Sequence, residues 1–161
     1  MKMLARPGTY ALVLKSSSDQ WIEVGKLGRL RVRAGFYVYV GSAFGPGGLK
    51  ARIAHHLKFS ARPHWHIDYL RLSTDVTEIW FTYDSKHREH QWAKVLASII
   101  PGSIPITAFG ASDCRCPSHL FFLSSQPSGV GIRRRLRSTL GPNGKVFVKK
   151  PLDKIEVSDI H

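Results

Sequence analysis

Segments of strand length alternate along this chain with segments of helical periodicity, and this alternation restricts the folds that it can adopt. Residues 8–14 and 35–41 are rich in β-branched and aromatic side chains and are bounded by glycine, which is typical of buried strands. Residues 49–57 carry an apolar side chain at every fourth position, and residues 86–100 show a related stripe, so both predict amphipathic helices. The sequence therefore predicts a fold that combines strands and helices.

Further strands are expected between and after these elements. Residues 21–24 and 29–32 suit a short hairpin around a glycine-containing turn, and residues 119–123 are apolar enough to close the core. Two more strands are predicted near residues 66–70 and 76–81.

The composition changes after residue 123. The chain has 161 residues, which is enough for one domain with an appendage. From Ser124 onward, a stretch rich in serine, proline and glycine precedes the basic run from Arg133 to Arg137. We therefore expect a domain over residues 1–123 and a basic C-terminal extension over residues 124–161.

Positive charge is concentrated in one stretch of the sequence. Lys and Arg number 24 against 11 Asp and Glu, and no acidic residue occurs between Glu23 and Asp68. Such a stretch is either a solvated surface that happens to be basic or a face that binds phosphates, and the eight cations in this window favour a face that binds the phosphates of a nucleic acid. The candidate contact residues are Arg31, Arg33, Lys50, Lys58, Arg62, Arg133, Arg134 and Arg135.

Hydropathy and cysteine usage bear on the compartment. No apolar run approaches the roughly 18 to 20 residues that span a bilayer, and the first residues lack the apolar stretch of a signal peptide. The two cysteines, Cys114 and Cys116, have a spacing that suits no disulfide framework. We expect a cytoplasmic protein without a membrane partner.

Two tripeptides in the predicted strands carry tyrosine and glycine together, Gly8-Thr9-Tyr10 and Tyr39-Val40-Gly41. Taken alone, a tyrosine in a strand most often packs in a core. Here the second strand leads through a glycine-rich turn into a helix that carries Arg52, and a later helix carries Glu89. In this order of elements the chain resembles the GIY-YIG nuclease superfamily.

The resemblance covers residues 8–123. Within it, residues 109–120, with the sequence FGASDCRCPSHL, are similar to a motif of one largely uncharacterised subfamily, a domain of unknown function. The resemblance implies an α+β fold in which a small, mainly antiparallel sheet is flanked by helices.

The resemblance also implies an active site. Tyr39 would be the catalytic tyrosine, and Tyr10 would be its partner in orienting the attacking water. Arg52 would contact the scissile phosphate, and Glu89 would ligate one Mg²⁺ or Mn²⁺ ion. His56, one helical turn after Arg52, would be a catalytic histidine near the reacting phosphate. One carboxylate is sufficient, because Mg²⁺ keeps several of its waters. A tyrosine that acts as a base needs its pKa, near 10 when free, to be lowered, and we expect the nearby cations to lower it.

Two departures from the superfamily's pattern, and one rival residue, bear on this assignment. The gap between Tyr10 and Tyr39 is long, which the predicted hairpin explains as an insertion. Many members carry a late asparagine in the catalytic region, whereas the single Asn of this chain is Asn143 in the extension. Glu78 is a rival metal ligand, although its position in a strand fits the pattern less well.

A second group of residues offers donors for zinc. The arrangement Cys-x-Cys-x-x-His, with an aspartate beside it, either holds a zinc ion or forms a tight loop whose cysteines pack near the site. The residues concerned are Asp113, Cys114, Cys116 and His119.

A third group surrounds an aromatic side chain. His64 and His66 flank Trp65. These residues either contact nucleic acid by stacking and phosphate binding, or Trp65 belongs to the core and the histidines to the surface.

The function that best accounts for these features is metal-dependent hydrolysis of phosphodiester bonds in DNA, directed to particular DNA structures or to single strands. The alternative is a non-catalytic module that binds DNA or RNA, because a fold does not guarantee its chemistry. A zinc-dependent structural or interaction protein, centred on Cys114 and Cys116, is the third possibility.

Overall fold

Six strands pair in antiparallel order to form one sheet, and a separate two-stranded hairpin packs beside it. The computed structural model describes residues 2–58, 62–99, 104–106, 109, 118–140 and 144–151. The strands are β1 (Gly8–Ser16), β2 (Gln20–Val24), β3 (Gly28–Val32), β4 (Gly35–Ala43), β5 (Asp75–Tyr83), β6 (Ile104–Pro105), β7 (Leu120–Leu123) and β8 (Phe147–Lys149). The helices are α1 (Gly48–Leu57), α2 (His66–Arg71), α3 (Glu89–Ile99) and α4 (Gly129–Leu140). The sheet has the order β6-β7-β4-β1-β5-β8, with β2 and β3 forming the hairpin.

The sheet separates two hydrophobic cores, because successive side chains of β1 point to opposite faces. Leu12 belongs to the core formed with α1, α2 and the hairpin, where it joins Ile53 and Ile67. Val13 belongs to the core formed with α3 and α4, where it joins Trp92. The α+β prediction is thus confirmed, with helices on both faces of an antiparallel sheet. Among the described helices, none combines the length and the apolar character needed to cross a membrane.

The predicted hairpin is present, and its turn depends on glycine. Gly25 begins a short 3₁₀ segment with a φ of 47°, and Gly28 ends it with a φ of 87°. Such left-handed backbone is unfavourable for residues with a Cβ. The glycines that frame this turn in the sequence therefore fix where the chain reverses.

The strand expected at residues 66–70 is wrong, because the chain forms α2 there. The Asp68 carboxylate accepts hydrogen bonds from the backbone N–H groups of His64 (2.9 Å) and Trp65 (3.0 Å), which secures the first turn of the helix. Ile67 and Leu70, three residues apart, then share one helical face and are fully buried. A run this short does not distinguish the two periodicities from sequence alone.

The described part of the basic extension packs on the domain. Ile132 and Leu136 of α4 are buried in the core that contains α3. β8 pairs with β5 in the sheet, and the Phe147 ring stacks on Phe81 with 5.1 Å between ring centroids. Apolar side chains at a helical spacing, interleaved with the arginines, account for this docking.

Candidate active site

A cavity of about 410 Å³ opens where β4, α1 and α2 meet the first residue of α3. The five residues predicted to be catalytic come from β1, β4, α1 and α3, and all of them line this cavity. They are Tyr10, Tyr39, Arg52, His56 and Glu89. The sheet and two helices on opposite faces thus bring together side chains that lie far apart in sequence.

The two glycines of the tyrosine motifs make room for neighbouring atoms. Strands β1 and β4 pair so that Tyr10 lies opposite Gly41. A Cβ on Gly41 would lie 2.5 Å from the Tyr10 hydroxyl oxygen, and a Cβ on Gly8 would lie 2.0 Å from the carbonyl oxygen of Thr82. Neither residue requires a positive φ, so the motif glycines serve close approach rather than an unusual backbone.

Tyr10 and His56 form a buried pair. The Tyr10 hydroxyl lies 2.6 Å from His56 Nε2, and both residues are 1% exposed. Burial, and then the nearby charges of His55 and Arg52, lower the pKa of His56 to about 3. The imidazole is therefore neutral at pH 7, and Nε2 can accept a hydrogen bond from the Tyr10 hydroxyl group. Within the described part of the chain, the buried Nδ1 atom of His56 has no hydrogen-bond partner.

Arg52 is fixed at the cavity wall by two contacts. Its guanidinium carbon lies 4.3 Å from the centroid of the Trp65 ring, and one of its terminal nitrogens donates to the carbonyl oxygen of Ser42 at 3.1 Å. A positive charge held in this way is preorganised for an anion in the cavity.

Glu89 brings a carboxylate to the same cavity. It is the first residue of α3, and its side chain is 18% exposed. Among the described residues, its recorded ionic contact is with His90, whose Nε2 lies 3.6 Å away and is charged only when protonated. A carboxylate that contacts a histidine among the described residues, in a cavity lined by hydroxyl groups and imidazoles, fits one hard divalent ion that keeps most of its waters.

Glu78, the rival metal ligand, does not line this cavity. Its Oε1 accepts a hydrogen bond from the Trp80 indole at 2.6 Å. A Cβ on Gly129, the first residue of α4, would lie 2.0 Å from the same oxygen, which places Glu78 on the face covered by α4. The carboxylate thus holds the Trp80 indole by a hydrogen bond and lies close to the start of α4.

The two tyrosines are harder to ionise than free tyrosine. Burial raises the pKa of Tyr39 and outweighs the opposing charge of Arg52, while Asp68 and Glu89 raise it further. Burial and the neighbouring Tyr39 likewise raise the pKa of Tyr10. Arg52 acts to lower the pKa of Tyr39, as expected of a nearby cation, but the effect of burial is larger. Both hydroxyl groups stay protonated at neutral pH.

The predicted nucleic-acid contacts do not form one surface. Arg31 lies on the hairpin, Arg33 follows it, Lys50 and Lys58 lie in and at the end of α1, and Arg62 precedes α2; these elements belong to the face that contains the cavity. The cluster on α4 lies on the opposite face of the sheet. That cluster comprises Arg133, Arg134 and Arg135.

Several residues near the site were not found from sequence. The ring of Phe109 is fully buried, and its centroid lies 6.2 Å from that of Tyr39 and 5.4 Å from that of His66. His90 lines the cavity directly after Glu89. The signal for Phe109 was its place in the subfamily-like segment, whereas nothing in the sequence distinguished His90 from other surface histidines.

A cluster of His55, His56 and Asp68 was also missed. One ligand atom from each lies within 4.8 Å of the others. The Asp68 oxygens are already engaged, since Oδ1 accepts from His55 Nε2 at 2.8 Å and Oδ2 accepts the two backbone N–H groups that begin α2. The cluster is thus explained by the way α2 is held against α1.

The zinc hypothesis falls largely on residues that the structure does not describe. Asp113, Cys114 and Cys116 lie outside the described residues, as does Asn143. His119 is described; it is 6% exposed and lines the cavity. Its ring centroid lies 5.7 Å from that of His90.

The low pKa of His56 predicts sensitivity to acid. An unfolded chain binds a proton at this histidine below a pH of about 6.5, whereas the folded chain does so only near pH 3. The free energy of unfolding should therefore fall as the pH drops from 6.5 towards 3, by up to about 1.4 kcal/mol per pH unit from this group. Urea titrations of the wild-type and His56→Gln proteins between pH 7.5 and 4.5 measure the difference.

His64→Gln, at an exposed histidine, is the control for replacing an imidazole by an amide. The informative quantity is the slope with pH, since His56→Gln also changes stability at pH 7. Parallel curves for the wild-type and His56→Gln proteins would contradict a buried neutral His56.

Protein-family models were compared with the chain. The model of the family described as "Domain of unknown function DUF123" matches residues 9–139. No curated protein and no solved structure gives a significant match. The matched segment contains all the residues that line the cavity and extends into α4.

Proposed function

The chain belongs to the family described as domain of unknown function DUF123, and we propose that it is a metal-dependent endonuclease of the GIY-YIG type that hydrolyses phosphodiester bonds in DNA. One observation carries the proposal: the five side chains that the resemblance assigns to catalysis line one cavity, although four different elements supply them. Packing alone does not require an arginine, a carboxylate, two tyrosines and a histidine to meet. The cysteine content favours the cytoplasm as the setting.

The charges of the cavity suit a phosphodiester. Hydrolysis of such a bond increases negative charge on the phosphate oxygens, and a fixed guanidinium group stabilises that charge. Arg52 is already held in place by Trp65 and Ser42, so little reorganisation is needed when the phosphate binds. Glu89 would otherwise repel the phosphate, which is a further reason to expect a cation beside it.

Glu89 would hold the divalent ion, Mg²⁺ or Mn²⁺. When bound, the ion supplies positive charge to the reacting phosphate and lowers the pKa of the attacking water. His90 and His119 line the same cavity. Imidazole donors beside a carboxylate are better suited to Mn²⁺ than to Mg²⁺.

The tyrosines and His56 then orient the reactants. Because burial keeps Tyr39 protonated, its hydroxyl group can hold a water or a phosphate oxygen by a hydrogen bond without first losing a proton. Tyr10 donates to His56, which fixes the direction of its hydroxyl lone pairs. His56 is a weak base, so we assign it to positioning Tyr10.

The substrate is a DNA that exposes single-stranded or branched structure. The basic residues offer contacts to phosphates, which carry no sequence information. Trp65 and its two flanking histidines line the cavity, where a planar base is able to stack. These features favour recognition of structure over recognition of sequence.

A second candidate is a module that binds DNA or RNA without cleaving it. The observation in its favour is the ionisation of the cavity. With both tyrosines protonated and the pKa of His56 at about 3, none of these three groups is a strong base at neutral pH. Catalysis thus depends on the cation, and a chain that holds none would only bind.

The decisive assay incubates the purified chain with labelled single-stranded, duplex and branched DNA, and with RNA, in Mg²⁺, in Mn²⁺ or in EDTA. If the chain is the proposed endonuclease, we expect cut products from single-stranded or branched DNA in at least one of the two metals and no cut product in EDTA. Binding to any of these nucleic acids with no cut product in either metal would instead establish the non-catalytic module.

A further inference from the structure

The two faces of the β2–β3 hairpin differ in chemistry. Ile22 lies opposite Leu30, and both side chains pack against the core beneath the hairpin. The alternating residues point away from the protein. This outward face carries Trp21, Glu23, Arg29 and Arg31.

Trp21 is the unusual member of this face. Its exposed fraction is 60%, whereas Trp80 and Trp92 are fully buried and Trp65 lines the cavity. The guanidinium carbon of Arg29 lies 4.8 Å from the centroid of the Trp21 ring and covers one side of it. An indole with this exposure leaves its other side open to a planar group from solution.

The charges around Trp21 favour an anionic partner. Lys26, Arg29, Arg31 and Arg33 are all exposed. Two acids oppose them through long, exposed ion pairs, Arg29 to Glu23 at 3.8 Å and Arg31 to Asp19 at 3.6 Å. Exposed ion pairs of this kind are weak, so the arginines remain able to exchange these carboxylates for phosphates.

The hairpin is joined to the cavity through α2. The Gln20 side-chain amide donates to the Ser73 carbonyl oxygen at 3.4 Å, and Gly25 lies beside the Tyr69 ring. The other end of α2 carries Trp65 and His66 to the cavity wall. A helix of six residues is about 9 Å long, so a strand bound at the cavity needs few further nucleotides to reach the hairpin.

We propose that the outward face of the hairpin is a stacking site for an unpaired base of single-stranded DNA, with Trp21 as the platform and the arginines as phosphate contacts. This inference rests on the proposed function in taking DNA as the ligand. Stacking on an exposed aromatic ring tolerates any base, and Arg29 adds a cation–π partner on the opposite side of the ring. Duplex DNA, whose bases are stacked on one another, offers no base for this site.

The test measures binding of oligothymidylate and of a blunt duplex of equal length to the full chain in EDTA. We expect Trp21→Ala to weaken binding of the single strand at least about fivefold, and to change binding of the duplex less than twofold. Trp21→Tyr should restore most of the affinity. Trp21→Leu keeps an apolar side chain without an aromatic face, and it should bind as poorly as Trp21→Ala.

Tryptophan fluorescence distinguishes direct stacking on Trp21 from a purely structural role of this residue. In a Trp65→Phe protein, Trp21 is the exposed indole among the three tryptophans that remain, because Trp80 and Trp92 are fully buried. Oligothymidylate should quench this emission as it binds. Lys94→Ser on α3 is the control for loss of one exposed cation, and it should leave the quenching in place.

Equal affinity of the wild-type and Trp21→Leu proteins for the single strand would overturn the proposal. The proposal would also be overturned if Trp21→Ala weakened duplex binding as much as single-strand binding, or if oligouridylate quenched the emission and oligothymidylate did not. These outcomes are separable from those of the cleavage assay. If Trp21 is quenched but no DNA is cleaved, the endonuclease is refuted and the stacking site stands. If DNA is cleaved but Trp21 is not quenched, the stacking site is refuted and the endonuclease stands.

Discussion

Replacing Glu89 by glutamine is expected to abolish metal-dependent cleavage, lowering the rate by about 1,000-fold or more, while DNA binding in EDTA is retained or improved. Glutamine has nearly the same shape as glutamate but carries no charge, so it fills the start of α3 without attracting a divalent ion. Among the described residues, the ionic contact of this carboxylate is with His90, so the substitution breaks no ion pair with an arginine or lysine there. Single-turnover rates over a series of Mn²⁺ concentrations measure the loss.

Glu78→Gln is the matched control for this experiment. Its carboxylate lies outside the cavity, and the glutamine oxygen is still able to accept the hydrogen bond from Trp80. We expect Glu78→Gln to cleave at a rate close to that of the wild type. Full activity of Glu89→Gln, together with a loss in Glu78→Gln, would transfer the role of metal ligand to Glu78 and refute the site described here.

Replacing Arg52 by alanine is expected to lower the cleavage rate by about 100- to 1,000-fold, the usual cost of removing one preorganised donor to a transition-state oxyanion. Arg52→Lys should recover little of this loss. The guanidinium group stacks on Trp65 and donates to Ser42 at the same time. An ammonium group lacks the planar face and the forked donors needed for both contacts.

The measurement is the single-turnover rate at saturating DNA, accompanied by the free energy of unfolding of each variant. Lys94→Ala, at an exposed position of α3 that does not line the cavity, controls for loss of a positive charge. A rate for Arg52→Lys within fivefold of the wild type would show that any cation suffices at this position, and it would contradict a role for the guanidinium geometry.

The set of site residues came from the resemblance to a known superfamily, and clear periodicity predicted the strands and helices that carry them. Tyr10 and Tyr39 occur in strands with glycine at close-approach positions, and Arg52 and His56 are four residues apart on one helix. These local patterns do not depend on distant contacts. The order of the elements then restricted how they could meet in space.

What could not be predicted depends on contacts between distant segments. The pKa values of Tyr39 and His56 are set mainly by burial, which sequence spacing does not report. The helix at residues 66–71 depends on hydrogen bonds from two backbone N–H groups to the Asp68 carboxylate, and a local apolar pattern does not reveal these bonds. The docking of α4 depends on Ile132 and Leu136, which stand among arginines and give a weak hydrophobic signal.

The two hydrophobic cores have a consequence for how the protein responds to stress. Arg52 is anchored on one side of the sheet through α1, whereas Glu89 arrives from α3, which is rooted on the other side. Local fraying at the beginning of α3 would carry the acidic group away and leave both tyrosines and the arginine in place. Under the proposed function, mild heat or denaturant should therefore abolish binding of the divalent ion before the sheet unfolds, so that a chain with its strands intact no longer cleaves DNA.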